Sequence, residues 1–314
     1  MTENGPEVSV HRSGKITKSP THRVAIVLVN WNNTADTVAC IESLSGSVYR
    51  DARIVVVENH SRPEEYGALR SRCTDEIILR QKRNLGFAGG CNVGIRWALQ
   101  NGFSYVWLLN SDAVVAPESL QELVAAMESD PRIGIVGGVM YYWNDPERIQ
   151  TAGGFVDTET ARGGMAGLNE SDAGQFCGIK DVDYVSGGML LVRSAAITQV
   201  GLLDERFFMY YEDTDWGVRM RKRGWRVITV PSAKVWHKDK ASAGKRKPYF
   251  LQHGYFLFLY KNFPQQLPHA LRLYARHYLR PHLERREWKL VWADLRVYWR
   301  FLARLAFVRA NLQP

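Results

Sequence analysis

Short apolar runs alternate with amphipathic stretches over the first half of the chain. Residues 24–30 (VAIVLVN) are apolar throughout and end on a polar side chain. That is the pattern of a strand buried on both faces of a parallel sheet. Val38, Ile41 and Leu44 then recur at helical spacing behind Asn33 or Thr34, either of which can cap a helix. The alternation continues with a strand at 54–57, a helix through Tyr66 and Leu69, a short strand at 77–79 and a helix ending near 100, entered from a glycine-rich turn. A strand at 105–109, a helix at 117–127 with Pro117 in its first turn and a strand at 133–139 complete the series. This order predicts an α/β fold built on an open, mostly parallel, twisted sheet with helices on both faces.

The second half is less regular. Residues 153–178 are glycine-rich and weakly periodic, and read as a long loop. Structure resumes over 182–192, followed by a helix at 212–223 and a short strand at 226–230; from residue 245 the pattern is helical. The first 22 residues are polar, lack the apolar run of a signal peptide and read as a disordered leader. The expected organisation is therefore a leader (1–22), an α/β domain (23–244) and a basic helical region (245–314).

Charge changes this picture at one end only. From Trp236 onward there are 16 Lys/Arg against 4 Asp/Glu, a net of +12, whereas the rest carries 25 against 28, a net of −3. Trp288, Val291, Leu295, Tyr298, Leu302 and Leu305 form one helical stripe, with Arg285, Lys289, Arg296, Arg300 and Arg304 largely off it. Two readings fit: a helix packed on the domain with a solvated basic face, or an interfacial helix on an anionic membrane. Nucleic acid is a poorer explanation, because no binding motif accompanies the charge. No stretch reaches the roughly 18 apolar residues of a bilayer span. The four cysteines make no CxxC pair, which argues against a zinc ribbon or disulfide scaffold and suits a reducing compartment.

Ligands of open parallel sheets bind beyond the carboxyl ends of the strands. The polar residues there are Asn30, Glu58–Asn59 and 110–112 (NSD). Any one of them alone could be a turn residue; their occurrence together favours a shared site. Asp112 offers the hard oxygen a divalent cation needs, and Asn110 could assist through its amide oxygen. In 83–94 (RNLGFAGGCNVG) the glycines allow close backbone approach, and the helix that follows offers N–H groups suited to phosphate. The segment has neither GxGxxG nor GK[ST] spacing. Residues 207–216 (FFMYYEDTDW) gather three acids behind an aromatic run. A helix N-terminus explains one or two acids, but not the run. Crowded carboxylates raise at least one pKa, which suits a general base. His237 is a lone histidine, more often structural than liganding, but beside Asp112 it becomes a candidate second metal ligand.

Taken in order, VAIVLVNWNN (24–33), IVVVENHS (54–61), RNLGFAGGCNVG (83–94), YVWLLNSDAVV (105–115), VDYVSGGMLLVR (182–193), the 201–225 segment around YYEDTDW and VWHKD (235–239) resemble family 2 glycosyltransferases of the GT-A fold. The closest likeness is to the bacterial rhamnosyltransferase-like branch. The resemblance implies that Asn30 and Glu58 line a nucleotide pocket and that Asn84, Gly86, Phe87, Gly89 and Asn92 pass close to the donor. Asn110 and Asp112 would stand in the DxD-type element, with Asp112 and His237 holding Mg²⁺ or Mn²⁺. Gly187 and Gly188 would leave room for the sugar. Asp213 would be the catalytic base, with Glu212, Asp215 and Trp216 on the acceptor side. Three departures stand out: Glu58 replaces the usual Asp, Cys91 a common Asn, and Asn110 the first acid of the DxD.

The implied reaction is a single inverting displacement. The donor would be a nucleotide-sugar, dTDP-rhamnose first and UDP-hexoses next, and the acceptor a saccharide or lipid-linked saccharide of envelope polysaccharide synthesis. The implied setting is cytoplasmic, at the inner face of the plasma membrane if the tail binds it. A sugar-1-phosphate nucleotidyltransferase should carry its glycine-rich loop directly after the first strand, where Trp31-Asn32-Asn33 stands instead. A non-catalytic binding relative would have no need of Asp112, Asp213 and His237 together.

Overall fold

The computed structural model describes residues 7–9, 23–157, 163–238, 247–288, 291–292 and 295. Two units are present. One comprises Met1–Val156, Gly163–Phe208 and Glu212–Ser242, the other Asp157–Arg162, Met209–Tyr211 and Ala243–Pro314.

The first unit contains strands β1 (Glu7–Ser9) and β2 (Val24–Asn30), helix α1 (Thr34–Ser45), β3 (Ala52–Glu58), α2 (Pro63–Arg72), β4 (Ile77–Arg80), α3 (Gly86–Gln100), β5 (Tyr105–Leu109), β6 (Ala113–Val115) and α4 (Ser119–Ser129). It continues with β7 (Ile133–Tyr142), β8 (Asp145–Thr151), β9 (Gly154–Val156), β10 (Gly163–Met165), β11 (Lys180–Asp181), β12 (Met189–Arg193), α5 (Ser194–Val200), α6 (Glu212–Lys222) and β13 (Arg226–His237). The main sheet runs β1-β4-β3-β2-β5-β12-β7-β13-β11, with β6 on β13 and β8 on β7. Strands β4, β3, β2 and β5 are mutually parallel, as are β7 and β13, and β12 lies antiparallel between β5 and β7. The long apolar runs are explained by burial on both faces. Along β2, Val24, Ile26 and Leu28 enter a core shared with α1, α2 and α4, while Ala25 and Val27 enter one shared with α3, α5 and α6.

Three sequence expectations change. Residues 7–9, inside the expected disordered leader, form β1 and pair antiparallel with β4; the rest of 1–22 lies outside the described residues. The expected loop 153–178 contains the β9–β10 hairpin. Its packing escapes a periodicity reading because aromatic rings cover glycines: Phe155 lies over Gly164, and Tyr184 over Gly154. The strand expected at 226–230 continues to His237. Pro231 sits in an irregular stretch between Thr229 and Lys234, after which pairing with β7 resumes.

Helix α3 begins at Gly86, so the glycine-rich turn is the helix's own first turns. Glycine is a poor helix former, and the gain lies in closeness to β2. A Cβ on Gly90 would lie 2.8 Å from Val29 Cγ1, and one on Gly94 would collide with the Val27 side chain.

The second unit holds α7 (Lys247–Asn262), α8 (Leu267–Tyr274) and α9 (Arg280–Glu284). Phe256, Phe258 and Leu259 are buried; Tyr274 packs edge-on against Phe256, and Tyr211 lies beside Tyr255 and Phe258. Of the C-terminal stripe, Val291 is buried and Trp288 exposed. Tyr298, Leu302 and Leu305, with Lys289, Arg296, Arg300 and Arg304, lie outside the described residues.

Candidate active site

Strand register sets the first part of the site. Asn30 and Glu58 end β2 and β3 directly opposite one another, and Arg80 ends β4 opposite Glu58. Asn30 Oδ1 accepts from Thr37 Oγ1 at 2.9 Å, but its Nδ2 has no hydrogen bond. Glu58 Oε1 accepts from the Ser61 N–H at 2.5 Å; Oε2 has no hydrogen bond and lies 3.7 Å from Arg80 Nε. The Arg80 guanidinium stacks 3.9 Å from the Tyr66 ring centroid. Both Asn30 and Glu58 are fully buried. A buried polar atom without a hydrogen bond costs about 1–3 kcal/mol, so two on adjacent strand ends, one of them met only by Arg80 at 3.7 Å, indicate a place for a polar ligand. Arg80 was not among the sequence candidates, although it ends its strand as they do.

The second part forms where β5 turns into β6. The Ala113 N–H donates to the Asn110 carbonyl, and β6 then pairs with β13 so that Ala113 lies opposite His237. This brings His237 Nε2 to 3.1 Å from Asp112 Oδ1 and 2.9 Å from Asn110 Nδ2. Nδ1 of the same ring is 2.9 Å from Gln150 Oε1. Adjacent ligands about 2.1 Å from an octahedral cation stand about 3 Å apart, so the Asp112–His237 spacing fits a shared divalent ion. Among the described residues no group of three or more His, Cys, Asp or Glu is placed to hold a metal. Such an ion would therefore draw on these two side chains and its ligand's own oxygens. Next along the chain, Lys238 pairs with Asp36 at 2.9 Å.

The third part is the N-terminus of α6. Asp213 Oδ2 accepts from the Gly187 N–H at 2.9 Å; Oδ1 accepts from the Thr214 N–H at 2.6 Å and from its hydroxyl at 3.2 Å. The adjacent Gly188 faces Asn110: its carbonyl accepts from the Asn110 N–H, and a Cβ on it would sit 2.9 Å from Asn110 Nδ2. Residues 187–188 thus join the Asp213 carboxylate to the Asn110–Asp112–His237 group. A Cβ on Gly187 would lie 3.0 Å from Phe87 Cε1, which places Phe87 beside Asp213.

Burial pushes the Asp213 carboxyl above its ordinary 3.8, against the hydrogen bonds from Gly187 and Thr214. Burial and then the Asp213 charge push Glu212 well above its ordinary 4.5, and Glu212 Oε2 has no hydrogen bond. Groups with raised folded-state pKa values contribute stability below their unfolded pKa and lose it as pH rises through the folded one. Glu212→Gln removes one such group. Its Tm should exceed the wild type's at neutral pH by a few degrees, since about 1 kcal/mol corresponds to about 2–4 °C. The difference should shrink as pH falls to the ordinary carboxylate range. A pH series of thermal melts checks this, and a variant less stable than wild type at neutral pH would contradict it.

Several sequence candidates are placed elsewhere. The N–H groups at the start of α3 are not free for phosphate: Gly86 donates to Asn84 Oδ1, Leu85 to Asn59 Oδ1, and Phe87 and Ala88 to the Phe208 carbonyl. Gly86 has φ +76°, and a Cβ there would strike that carbonyl. Gly89 lies against Leu85, where a Cβ would come within 2.8 Å. Asn92 binds both the N–H and carbonyl of Leu203 and also Glu205, pinning the segment before α6. Asp215 is buried against Arg219 at 2.8 Å, and Trp216 is buried and donates to the Gly201 carbonyl. The contacts of Asn84, Gly89, Asn92, Asp215 and Trp216 are thus packing and loop-bracing ones. Gln150 was missed altogether, since nothing in its sequence neighbourhood marks it.

Residues 20–251 match the family described as glycosyltransferase like family 2. The N-acetylglucosaminyl-diphospho-decaprenol L-rhamnosyltransferase of Mycobacterium tuberculosis is 29% identical over 244 residues, which covers 70% of this chain and 77% of that protein. The low-salt glycan biosynthesis hexosyltransferase Agl10 of Haloferax volcanii is 28% identical over 215 residues, covering 66% of this chain and 64% of its own. Among solved structures, the mannosyltransferase PcManGT of Pyrobaculum calidifontis with GDP-Man and Mn²⁺ aligns with a TM-score of 0.56 at 15% identity, over 98% of this chain and 84% of that one. GalNAc-T7 with UDP, GalNAc and Mn²⁺ aligns with a TM-score of 0.58 at 16% identity, over 76% of this chain and 48% of that one. At these identities the structural likeness speaks for the fold.

Proposed function

The chain belongs to glycosyltransferase family 2 and is a glycosyltransferase of the GT-A fold; from that premise we propose that it transfers rhamnose, with inversion, from dTDP-rhamnose to a lipid-linked saccharide. The observation that carries a direct displacement is the Gly187–Gly188 link, with the Asp213 carboxylate on one side and Asn110 on the other. A base and a leaving-group site a short step apart are what one-step transfer requires.

The donor's nucleotide would take up Asn30 Nδ2 and Glu58 Oε2, neither of which has a hydrogen bond among the described residues. Asp112 and His237 would hold a divalent cation, which when bound offsets negative charge on the diphosphate. Gly188, without a side chain, lets the Asn110 and Met140 side chains close on the 187–188 turn, which fixes the Asn110 amide beside His237. Asp213, oriented by Gly187 and Thr214, accepts the proton of the acceptor hydroxyl as its oxygen bonds to the anomeric carbon. The bond from that carbon to the diphosphate oxygen breaks, and the pair of electrons leaves with the nucleotide. A single displacement inverts the centre and needs no carboxylate nucleophile. The choice of sugar and acceptor draws support from the M. tuberculosis relative, whose name gives rhamnosyl transfer and a lipid-linked saccharide. The net +12 of the C-terminal quarter and the exposed Trp288 and Trp292 support an anionic lipid surface as the acceptor's setting. No helix among the described residues is long and apolar enough to cross a membrane.

The test is transfer from dTDP-rhamnose and from UDP-hexoses, with Mn²⁺, to a polyprenyl-diphosphate saccharide in anionic or neutral vesicles. Rhamnosyl product, formed faster on anionic vesicles, is expected. Turnover with a UDP-hexose alone would replace the donor, and equal rates on both vesicles would remove the surface.

A further inference from the structure

Gln150 has no part in the reaction just described, yet it occupies an irregular position. Strand β8 pairs antiparallel with β7, with Thr151 opposite Met140 and Ile149 opposite Tyr141. Two consecutive β7 residues thus face β8 residues that are two apart, and Gln150 is the extra residue of a β-bulge. Bulges re-aim a side chain and recur beside active sites. On the other edge of β7 runs β13, with His237 opposite Tyr142. Gln150 Oε1 reaches across to within 2.9 Å of His237 Nδ1.

The other ring nitrogen faces a second amide, with Asn110 Nδ2 2.9 Å from Nε2. A carboxamide oxygen only accepts and a carboxamide nitrogen only donates. The two amides, on opposite sides of the ring, both fit one state: a proton on Nδ1 and a lone pair on Nε2. That lone pair lies 3.1 Å from Asp112 Oδ1. Two acceptors this close suit a shared cation.

We propose that Gln150 is a positioning residue that holds His237 as its Nδ1–H tautomer and so presents Nε2, with Asp112, to a divalent cation. The proposal rests on the reading of Asp112 and His237 as the cation site. Histidine ligands commonly donate their second ring N–H to such a partner, and loss of the partner weakens metal binding by about 10–100-fold.

Two readouts test it without reference to turnover. Long-range ¹H–¹⁵N correlation spectra, with His237→Ala for assignment, report the His237 tautomer. Manganese EPR titration in the presence of dTDP reports cation affinity. The wild type should show the Nδ1–H tautomer. Gln150→Met, which keeps the length and removes the acceptor, should lose the tautomer preference and weaken Mn²⁺ binding by about 10–100-fold. Gln150→Glu, which keeps an acceptor, should restore both. A wild-type His237 carrying its proton on Nε2 overturns the proposal, whatever the variants do. So does a Gln150→Met protein with wild-type tautomer and wild-type Mn²⁺ affinity. If wild type and His237→Ala bind Mn²⁺ equally, the reading of the cation site fails and this inference fails with it. Wild-type binding that needs His237 but ignores Gln150 removes this inference alone.

Discussion

Asp213→Asn lowers kcat by about 10²–10⁴-fold, the usual worth of a positioned general base, and leaves donor binding nearly unchanged. An amide cannot accept the acceptor's proton, so the loss belongs to the chemical step. Donor affinity should survive because Asn30 and Glu58 are carried by β2 and β3 and not by α6, and neither is hydrogen-bonded to Asp213. The fold faces two opposing changes. Asp213 offers two oxygens to Gly187 and Thr214, and an asparagine can satisfy only one side, at a cost of about 1–3 kcal/mol. Against this, Glu212 loses the like charge that helps to raise its pKa. The acid limb of the wild-type kcat/KM profile should lie above pH 3.8, the ordinary value for an aspartate, because burial raises Asp213, and it should vanish in the variant. Single-turnover kinetics with calorimetric donor binding separate the effects. Near-normal turnover with intact folding would remove Asp213 as the base.

The second large effect is expected at Asp112. Asp112→Ala removes the only carboxylate beside His237 in the β5–β6 turn. Charge stabilisation by a bound cation is worth several kcal/mol in the transition state, and each 1.36 kcal/mol is tenfold in rate. Transfer should therefore fall by at least about 10²-fold, and Mn²⁺ affinity should fall with it. His237 should keep its place, because Gln150 and Asn110 hold both ring nitrogens. The buried Cys40 thiol offers a folding control. Burial first, and then the Asp112 charge, push it up to about 12, so removing Asp112 should lower it slightly without exposing it. Rates measured across a Mn²⁺ series check the prediction. An Asp112→Ala enzyme with wild-type rate and metal dependence would show that the charge on the leaving diphosphate is met elsewhere.

How much of this was legible depended on whether the signal was local. The strand ends Asn30, Glu58, Asn110 and Asp112 could be read from apolar runs that stop abruptly, because burial on both sheet faces demands such runs. His237 was visible beside a strand, but Pro231 hid that β13 continues through it. The acids at 212–215 were visible as a group, yet their roles diverge in space. Asp213 faces Gly187, Glu212 is buried without a partner for Oε2, and Asp215 is spent on Arg219. The glycines of α3 looked like a phosphate cradle. The Phe208 carbonyl, more than a hundred residues downstream, instead takes two of the N–H groups, and the glycines let the helix close on β2.

The sequence by itself determined the alternation of strands and helices through β7 and most of the polar residues at the ends of those strands. These follow from local periodicity, and hydrophobic burial acts on every residue of a run at once. The tertiary structure decided which of those residues meet. The β6–β13 register brings His237 to Asp112, the 187–188 turn joins Asp213 to Asn110, and the bulge at Gln150 aims an amide at the histidine. Each of these pairings spans dozens of residues or more. Its geometry depends on where two distant backbones come to rest, and no neighbouring side chain records that.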